Sequence, residues 1–512
     1  MGLDPVGADE ASRRWEWAIA LAACVVVLSL RLSWPGDTQW INDEPLLLSK
    51  AAAMNATGQL AGAGLRGTVG LTYGPVAVWI YAGLLRLTGN NLLELVGLRA
   101  ALFSLVVAVA LLWLASLSRR LRPIWVPLLV LSPYSWLYAR HLWDNTWLIP
   151  LGALALASYA SFNQRPSSAR LWLAVLGLAA AALIHPMVAP LAIAITAHAL
   201  RFHRSWLRSH AGTLAAQAVV ALLLATPWIL ALAGQEFSHG PAAPPPPPPL
   251  LWPPAEPSSP FYAPLLFPLL GGRLLSAAGL DYFLEAGWLD GSAWGPPLAA
   301  FTAVAYPLVW LGIGLALYRV RRTSSPAVAP VAPEVTGRRS DLDFHLAWLC
   351  LAALAVQWTM QAVLGRHTHP HYYNGTWVCY ALFLWTALST PLSSTWLSRG
   401  RAVLGTGLAA ALAVLTAQMV LQIHHDGGNR GIHFGATLQS QLDVARSLGG
   451  LHPDSPLRIE VPNFLMFPHA LPLLRELTGT TGDPAGPKRA SRVGFRDADP
   501  RSGWITVAPD HD

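Results

Sequence analysis

The sequence predicts an all-α polytopic membrane protein with about eleven transmembrane helices, external juxtamembrane helices and a small α/β C-terminal external lobe. Three observations predict it. Apolar residues fill 54% of the 512 positions and charged residues only 12%, with a mean hydropathy of +0.42. Soluble domains carry roughly 25% charged residues, and no water-soluble core of this size hides so much apolar side chain. The apolar residues also fall in runs near the ~20 that a helix needs to cross a bilayer with its backbone satisfied. Finally, most arginines sit in short segments between runs, so the net charge of +7 marks cytoplasmic loops and not a nucleic-acid partner.

The first run, Trp15 to Leu32, follows Arg13 and Arg14 and is followed by Trp34-Pro35-Gly36-Asp37, not by a small-residue cleavage site. It is therefore expected to be an uncleaved first helix. The remaining runs lie near 92–118, 123–140, 145–162, 171–186, 187–203, 213–233, 296–318, 343–364, 374–391 and 402–423. With these spans, six basic clusters fall on one face. They are Arg13/Arg14, Arg119/Arg120/Arg122, Arg165/Arg170, Arg201/Arg204/Arg208, Arg319/Arg321/Arg322 with Arg338/Arg339, and Arg399/Arg401. That face is cytoplasmic by the positive-inside rule, which puts the N-terminus inside and the C-terminus outside, as for a bacterial inner-membrane protein. Segment 73–89 is apolar but short and carries Arg86; counting it as a span would invert the next cluster, so it is expected to lie along the external surface. The junction His185-Pro186 predicts a tight external hairpin.

The organisation that follows is an N-terminal transmembrane module, 1–233, with a first external loop at 34–91. A proline-rich external loop, 234–295, includes six consecutive prolines at 244–249, which favour an extended spacer. The C-terminal transmembrane helices occupy 296–423 and an external tail domain occupies 424–512, with a strand expected near 457–461. Cys24, Cys350 and Cys379 all lie in apolar runs, at spacings that fit neither a metal site nor a disulfide framework.

The few ionisable residues outside the basic clusters gather on the external side. The first loop carries Asp43 and Glu44 immediately before Pro45, which can open a helix because its missing N–H is an orphan there anyway. Two acids in its first turn either cap a surface helix or face a water-filled cavity. Asp144 is the one carboxylate between Glu94 and Glu236, and it ends the 123–140 run on the same face as Asp43. Arg140, four residues earlier, either pairs with it or serves a ligand. The third cluster is Arg366-His367-Thr368-His369-Pro370-His371-Tyr372-Tyr373-Asn374, a dense set of phosphate-binding donors. Its His-x-His spacing is also compatible with a divalent metal, while its tyrosines also suit an aromatic belt. His185 is a further external donor or a structural histidine.

The order of these features resembles the type C membrane glycosyltransferases, above all the bacterial protein O-mannosyltransferase-like and aminoarabinose-transferase-like families. The resemblance rests on the Asp43-Glu44 pair after the first span, Tyr73-Gly74-Pro75 opening an amphipathic segment that ends Leu87-Thr88-Gly89-Asn90-Asn91, and Arg99 early in the next helix. It continues with Ser132-Pro133-Tyr134 through Asp144, His185-Pro186, and His369-Pro370-His371-Tyr372-Tyr373, and covers roughly residues 15–200 and 343–423. The resemblance implies transfer of a sugar from a polyprenyl-phosphate donor to a glycan, lipid or protein acceptor outside the cytoplasm. Asp43 would be the general base, supported by Glu44, and Asp144 would orient the acceptor or hold a divalent cation. Arg366, His367, His369, His371, Tyr372 and Tyr373, with His185, Arg140 and Tyr73, would contact donor or lipid phosphate. The alternative is a polytopic transporter or flippase, a class marked by paired halves and polar groups at mid-membrane. Here the ionisable groups lie at one face.

Overall fold

The computed structural model of the 512-residue chain describes residues 5–41, 43–67, 71–237, 274–276, 284, 293–323, 337–364, 370–390, 394–429, 434–452, 455, 457–460, 470–480, 482–495 and 505–509. Each of the eleven apolar runs is occupied by helix. In chain order the helices are α1 (Pro5–Leu32), α2 (Asp43–Thr57), α3 (Val76–Leu87), α4 (Leu92–Leu117), α5 (Val126–Leu131), α6 (Pro133–Arg140), α7 (Leu148–Gln164), α8 (Ser168–Ile184) and α9 (Ala189–Phe202). There follow α10 (Arg204–Ser209), α11 (Ala211–Phe237), α12 (Gly295–Thr302), α13 (Ala305–Thr323), α14 (Gly337–Leu364), α15 (Trp377–Ser389) and α16 (Thr395–Asp426). Six stretches among the described residues are long and apolar enough to cross a membrane alone: Ser12–Leu32, Leu92–Leu117, Ala211–Gly234, Gly295–Arg322, Leu342–Gln361 and Thr395–Asp426. The other predicted spans are shorter helices packed among them, α7 against both α4 and α8 and α15 against α13.

The run 123–140 is not one helix. The turn Pro123–Trp125 leads into α5, the chain leaves helical geometry at Ser132, and α6 restarts at Pro133 with the Ser132 hydroxyl accepting from the Ser135 N–H at 3.2 Å. Proline has no N–H and disfavours helical geometry in the residue before it, which accounts for the break. Broken helices inside a bundle need other donors for their freed carbonyls. Arg31 of α1 supplies them: buried, it donates to the Val130 carbonyl, to Ser135 Oγ at 3.0 Å and to Ser104 Oγ at 2.8 Å. Arg99 of α4 does the same for α6, donating to the Tyr138 carbonyl and to Thr146 while lying over the rings of Phe103 and Trp147.

The basic clusters meet at one end of the bundle. Arg13 donates to the carbonyls of Ala115 and Arg119, Arg122 pairs with Glu16, Arg120 pairs with Asp343 at 3.1 Å, and Arg319 and Arg401 both reach Thr390. The opposite end carries α2, α3 and the C-terminal lobe. The segment 73–89 forms α3 as expected, opening just after Gly74-Pro75 and packing on α2, α4 and α8. Gly74 is required there, since a Cβ would lie 2.3 Å from the Leu183 carbonyl oxygen of α8.

The lobe contains a short hairpin of β1 (Gly428–Asn429) and β2 (Gly435–Ala436), then α17 (Leu438–Leu448), β3 (Leu457–Ile459), α18 (Ala470–Leu477), β4 (Ser491–Phe495) and β5 (Ile505–Pro509). The strand expected near 457–461 is β3; it pairs parallel with β4, and β4 pairs antiparallel with β5. The proline tract 244–249 lies outside the described residues.

Candidate active site

The site begins where the chain turns out of α1. Trp34 takes a positive φ of 46°, and α2 then opens at Asp43 with both acids in its first turn and Pro45 behind them, as the sequence predicts. The two carboxylates do different things. Glu44 is fully buried and folds back over the start of its own helix, accepting from Gln39 Nε2 at 2.6 Å and from the Ile41 N–H at 3.2 Å. That places Glu44 in a holding role: it fixes the loop that delivers Asp43. Asp43 is only partly exposed, and the protein around it raises its carboxyl to about 6, because burial disfavours the charged form.

Asp144 opens a tight turn, Asp144–Trp147, between α6 and α7. It is 4% exposed and accepts the Asn145 N–H at 2.6 Å. Its carboxyl is pushed up to about 8, first by burial and next by the nearby charge of Asp43; the Asn145 N–H opposes the shift and Glu44 adds to it. Although a hundred residues separate Asp43 from Asp144, the fold brings them close enough for the charge of Asp43 to raise the Asp144 carboxyl, so Asp43 is the first of the two to ionise as pH rises.

Tyr73, His185, His371 and Tyr372 complete this cluster. The Tyr73 and His185 rings lie 4.1 Å apart, and burial followed by the charges of Asp144, Asp43 and Tyr372 raises the Tyr73 hydroxyl. His371 packs edge-on to Trp143 at 5.7 Å and to Tyr372 at 4.5 Å. The turn Pro370–Thr376 that bears them is fixed from below. Asn374 accepts from the Tyr134 hydroxyl at 2.6 Å and donates to Asn145 at 3.3 Å, while Gln357 of α14 donates to the Tyr372 carbonyl at 3.0 Å. Gly375 allows this approach, because a Cβ would lie 2.3 Å from the Met187 carbonyl oxygen. Asn374 closes the predicted cluster and Tyr134 lies in Ser132-Pro133-Tyr134, whereas nothing in the sequence singles out Gln357.

Other expected residues are placed elsewhere. Arg140 pairs with neither carboxylate of the cluster: it donates to the Trp34 carbonyl, lies 4.6 Å over the Trp136 ring and directs its charge at Asp37. Tyr373 is fully buried and packs toward Tyr380 at 6.1 Å, away from the carboxylates. His185 caps α8's successor turn, accepting the Met187 N–H at 3.3 Å, so its ring edge is partly committed to structure. Arg366, His367 and His369 lie outside the described residues. Among the described residues no group of three or more His, Cys, Asp or Glu side chains is arranged to hold a metal; Asp43 and Asp144 are the two oxygen donors that a divalent cation would find here.

The whole described architecture has a counterpart among solved structures. The crystal structure of ArnT from Cupriavidus metallidurans bound to undecaprenyl phosphate superposes with a TM-score of 0.50, over 96% of this chain and 97% of that one, at 14% identity. The chain has the ArnT fold. The same ArnT in its apo state aligns over 98% of each chain at 18% identity and a TM-score of 0.43. No family model matches the sequence, and no curated protein matches it significantly. The ArnT fold is that of a polytopic membrane protein and agrees with the fold class expected from the apolar runs.

Proposed function

We propose that this protein is an inner-membrane glycosyltransferase that moves a sugar from a polyprenyl-phosphate-linked donor to an acceptor on the external face. The observation that carries the reading is the Asp43–Asp144 pair at the end of the bundle remote from the arginine clusters. Its support is the ArnT fold, since the ArnT crystal structure holds undecaprenyl phosphate.

In this reading Asp43, ionised above about pH 6, takes the proton from the acceptor hydroxyl. The hydroxyl oxygen attacks the anomeric carbon, the bond from that carbon to the phosphate oxygen breaks, and polyprenyl phosphate leaves with the electron pair. Asp144, protonated at neutral pH, orients the acceptor by donating a hydrogen bond. Tyr73, His371 and Tyr372, with Arg366, His367 and His369 from the same loop, supply donors where negative charge develops on the leaving phosphate. A divalent cation at this site would be held by Asp43 and Asp144.

Asp43→Asn is expected to lower transfer in isolated membranes by about 10²–10⁴-fold, the usual worth of a positioned base, with the protein still present at its normal level. Wild-type transfer should rise as pH passes about 6, where Asp43 ionises, and fall again as pH passes about 8, where Asp144 loses the proton it donates. Full activity of Asp43→Asn, measured with radiolabelled lipid-linked sugars, would overturn the assignment.

A further inference from the structure

The segment that delivers Asp43 is held from two sides, by α6 and by the far end of the chain. Thr38, Gln39 and Trp40 are at most 1% exposed. Thr38 donates to the Arg140 carbonyl at 3.1 Å and Arg140 to that of Trp34, and the C-terminal lobe supplies the remaining bonds. The Gly36 carbonyl accepts from the Gln439 N–H at 3.0 Å and the Thr38 carbonyl from the Leu438 N–H at 2.8 Å, and Gln39 forms an antiparallel bridge with Thr437. Residues 36–39 thus add an extended segment to the start of α17. Side chains lock the next residue: Gln441 Nε2 donates to the Trp40 carbonyl and, at 3.1 Å, to that of Ala436, while Trp40 Nε1 donates to the Ala470 carbonyl at 3.2 Å. Before the segment, His424 of α16 pairs with Asp37 at 2.8 Å and stacks on Trp34 at 4.3 Å. Gly36 permits the approach, since a Cβ there would lie 2.8 Å from Gln439 Cβ.

After the segment the hold passes inward. Glu44 grips Gln39 and Ile41, and Asp43 is its neighbour at the head of α2. The connection therefore runs without a gap from lobe to segment 36–41 to Asp43. We propose that the C-terminal lobe is a positioning module for the transfer step, with Gln441 and Trp40 as the residues that set where the Asp43 carboxylate stands. The proposal rests on the reading of Asp43 as the base. Gln441 touches neither Asp43 nor Asp144, so it acts through the loop.

The chemistry tells positioning from folding. Misplacing a base by about 1 Å costs up to ~10²-fold in rate while leaving ligand affinity untouched. For Gln441→Ala we expect transfer from extracted undecaprenyl-linked sugars to lose about tenfold or more in kcat. KM for the lipid donor and binding of undecaprenyl phosphate should stay at wild-type values, while the melting temperature in detergent falls only slightly, because the Trp40 and Ala436 carbonyls lose one donor. Hydrogen exchange should quicken across residues 36–48. Trp40→Phe, which keeps the ring and deletes the donor to Ala470, should do the same and stands in if Gln441→Ala fails to reach the membrane. Faster exchange with unchanged kcat overturns the proposal, as does a parallel fall of kcat, phosphate binding and melting temperature. If the wild-type protein transfers no sugar, the functional reading fails by itself, and unchanged exchange across 36–48 in both variants then overturns the hold of the lobe on the loop.

Discussion

At the scale of single residues the Asp43–Asp144 carboxyl pair stands against the stability of the protein. Burial lifts the carboxyls of Asp43 and Asp144 to about 6 and about 8, both above the ordinary value of 3.8. Well below pH 3.8 each is neutral in the folded and the unfolded chain, so neither contributes a pH dependence. As pH rises through 3.8 the unfolded carboxyls ionise first, and stability falls until the folded groups have ionised too, near pH 8. Asp144→Asn removes the larger part of that slope. The variant is expected to melt close to wild type at about pH 2.5 and to be more stable at pH 8 by on the order of 5 kcal/mol, the linkage expected when a carboxyl moves from 3.8 to about 8. Thermal unfolding in detergent at the two pH values checks this, and equal slopes for both proteins would sink it. Asp43, Glu44 and Asp144 were legible in the sequence because carboxylates are costly beside a membrane. The division of labour between Asp43 and Glu44 was not, since it depends on which acid reaches the Gln39 amide and the Ile41 N–H.

At the scale of elements, hydropathy alone located helix in every predicted run, and the Gly74-Pro75 signal placed the start of α3. The break between α5 and α6 escaped it, because the run 123–140 stays apolar through Ser132 and a proline inside a membrane helix leaves a hydropathy profile unchanged. The partners of Arg31 and Arg140 escaped it for a related reason: they include the backbone carbonyls of Val130 and Trp34, which no side-chain pattern reports. The roles of these arginines are nonetheless testable. Arg31→Met keeps most of the buried volume but leaves the Val130 carbonyl and the Ser135 hydroxyl without their donor. An unsatisfied buried acceptor costs about 1–3 kcal/mol. The variant should therefore melt earlier, by that amount, while the lipid-phosphate affinity of whatever protein remains folded is unchanged. An equally stable variant would mean that the broken helix satisfies its own carbonyls.

At the scale of the whole molecule, charge and chemistry lie at opposite ends. Arg13, Arg119, Arg120, Arg122, Arg319 and Arg401 meet through Glu16, Asp343, Thr390 and backbone carbonyls at one end, and the Asp43 cluster with the lobe occupies the other. Basic loops are retained on the cytoplasmic side during insertion, so the positive-inside rule predicts the arginine end in the cytoplasm and the lobe outside. Under the proposed function, a polyprenyl-phosphate donor would deliver sugar on the side where water-soluble nucleotide sugars are absent, which is the physical reason for a lipid carrier. Two exposed positions separate the ends: Ser447 on α17 and Arg399 near the start of α16. In intact spheroplasts a membrane-impermeant maleimide should label Ser447→Cys and leave Arg399→Cys unlabelled until the membrane is opened. The native cysteines are poor competitors, since Cys350 and Cys379 are buried and Cys24 lies within the span Ser12–Leu32. The reverse labelling pattern would put the carboxylate pair on the cytoplasmic side. A nucleotide-linked donor would then fit the site better than a lipid-linked one.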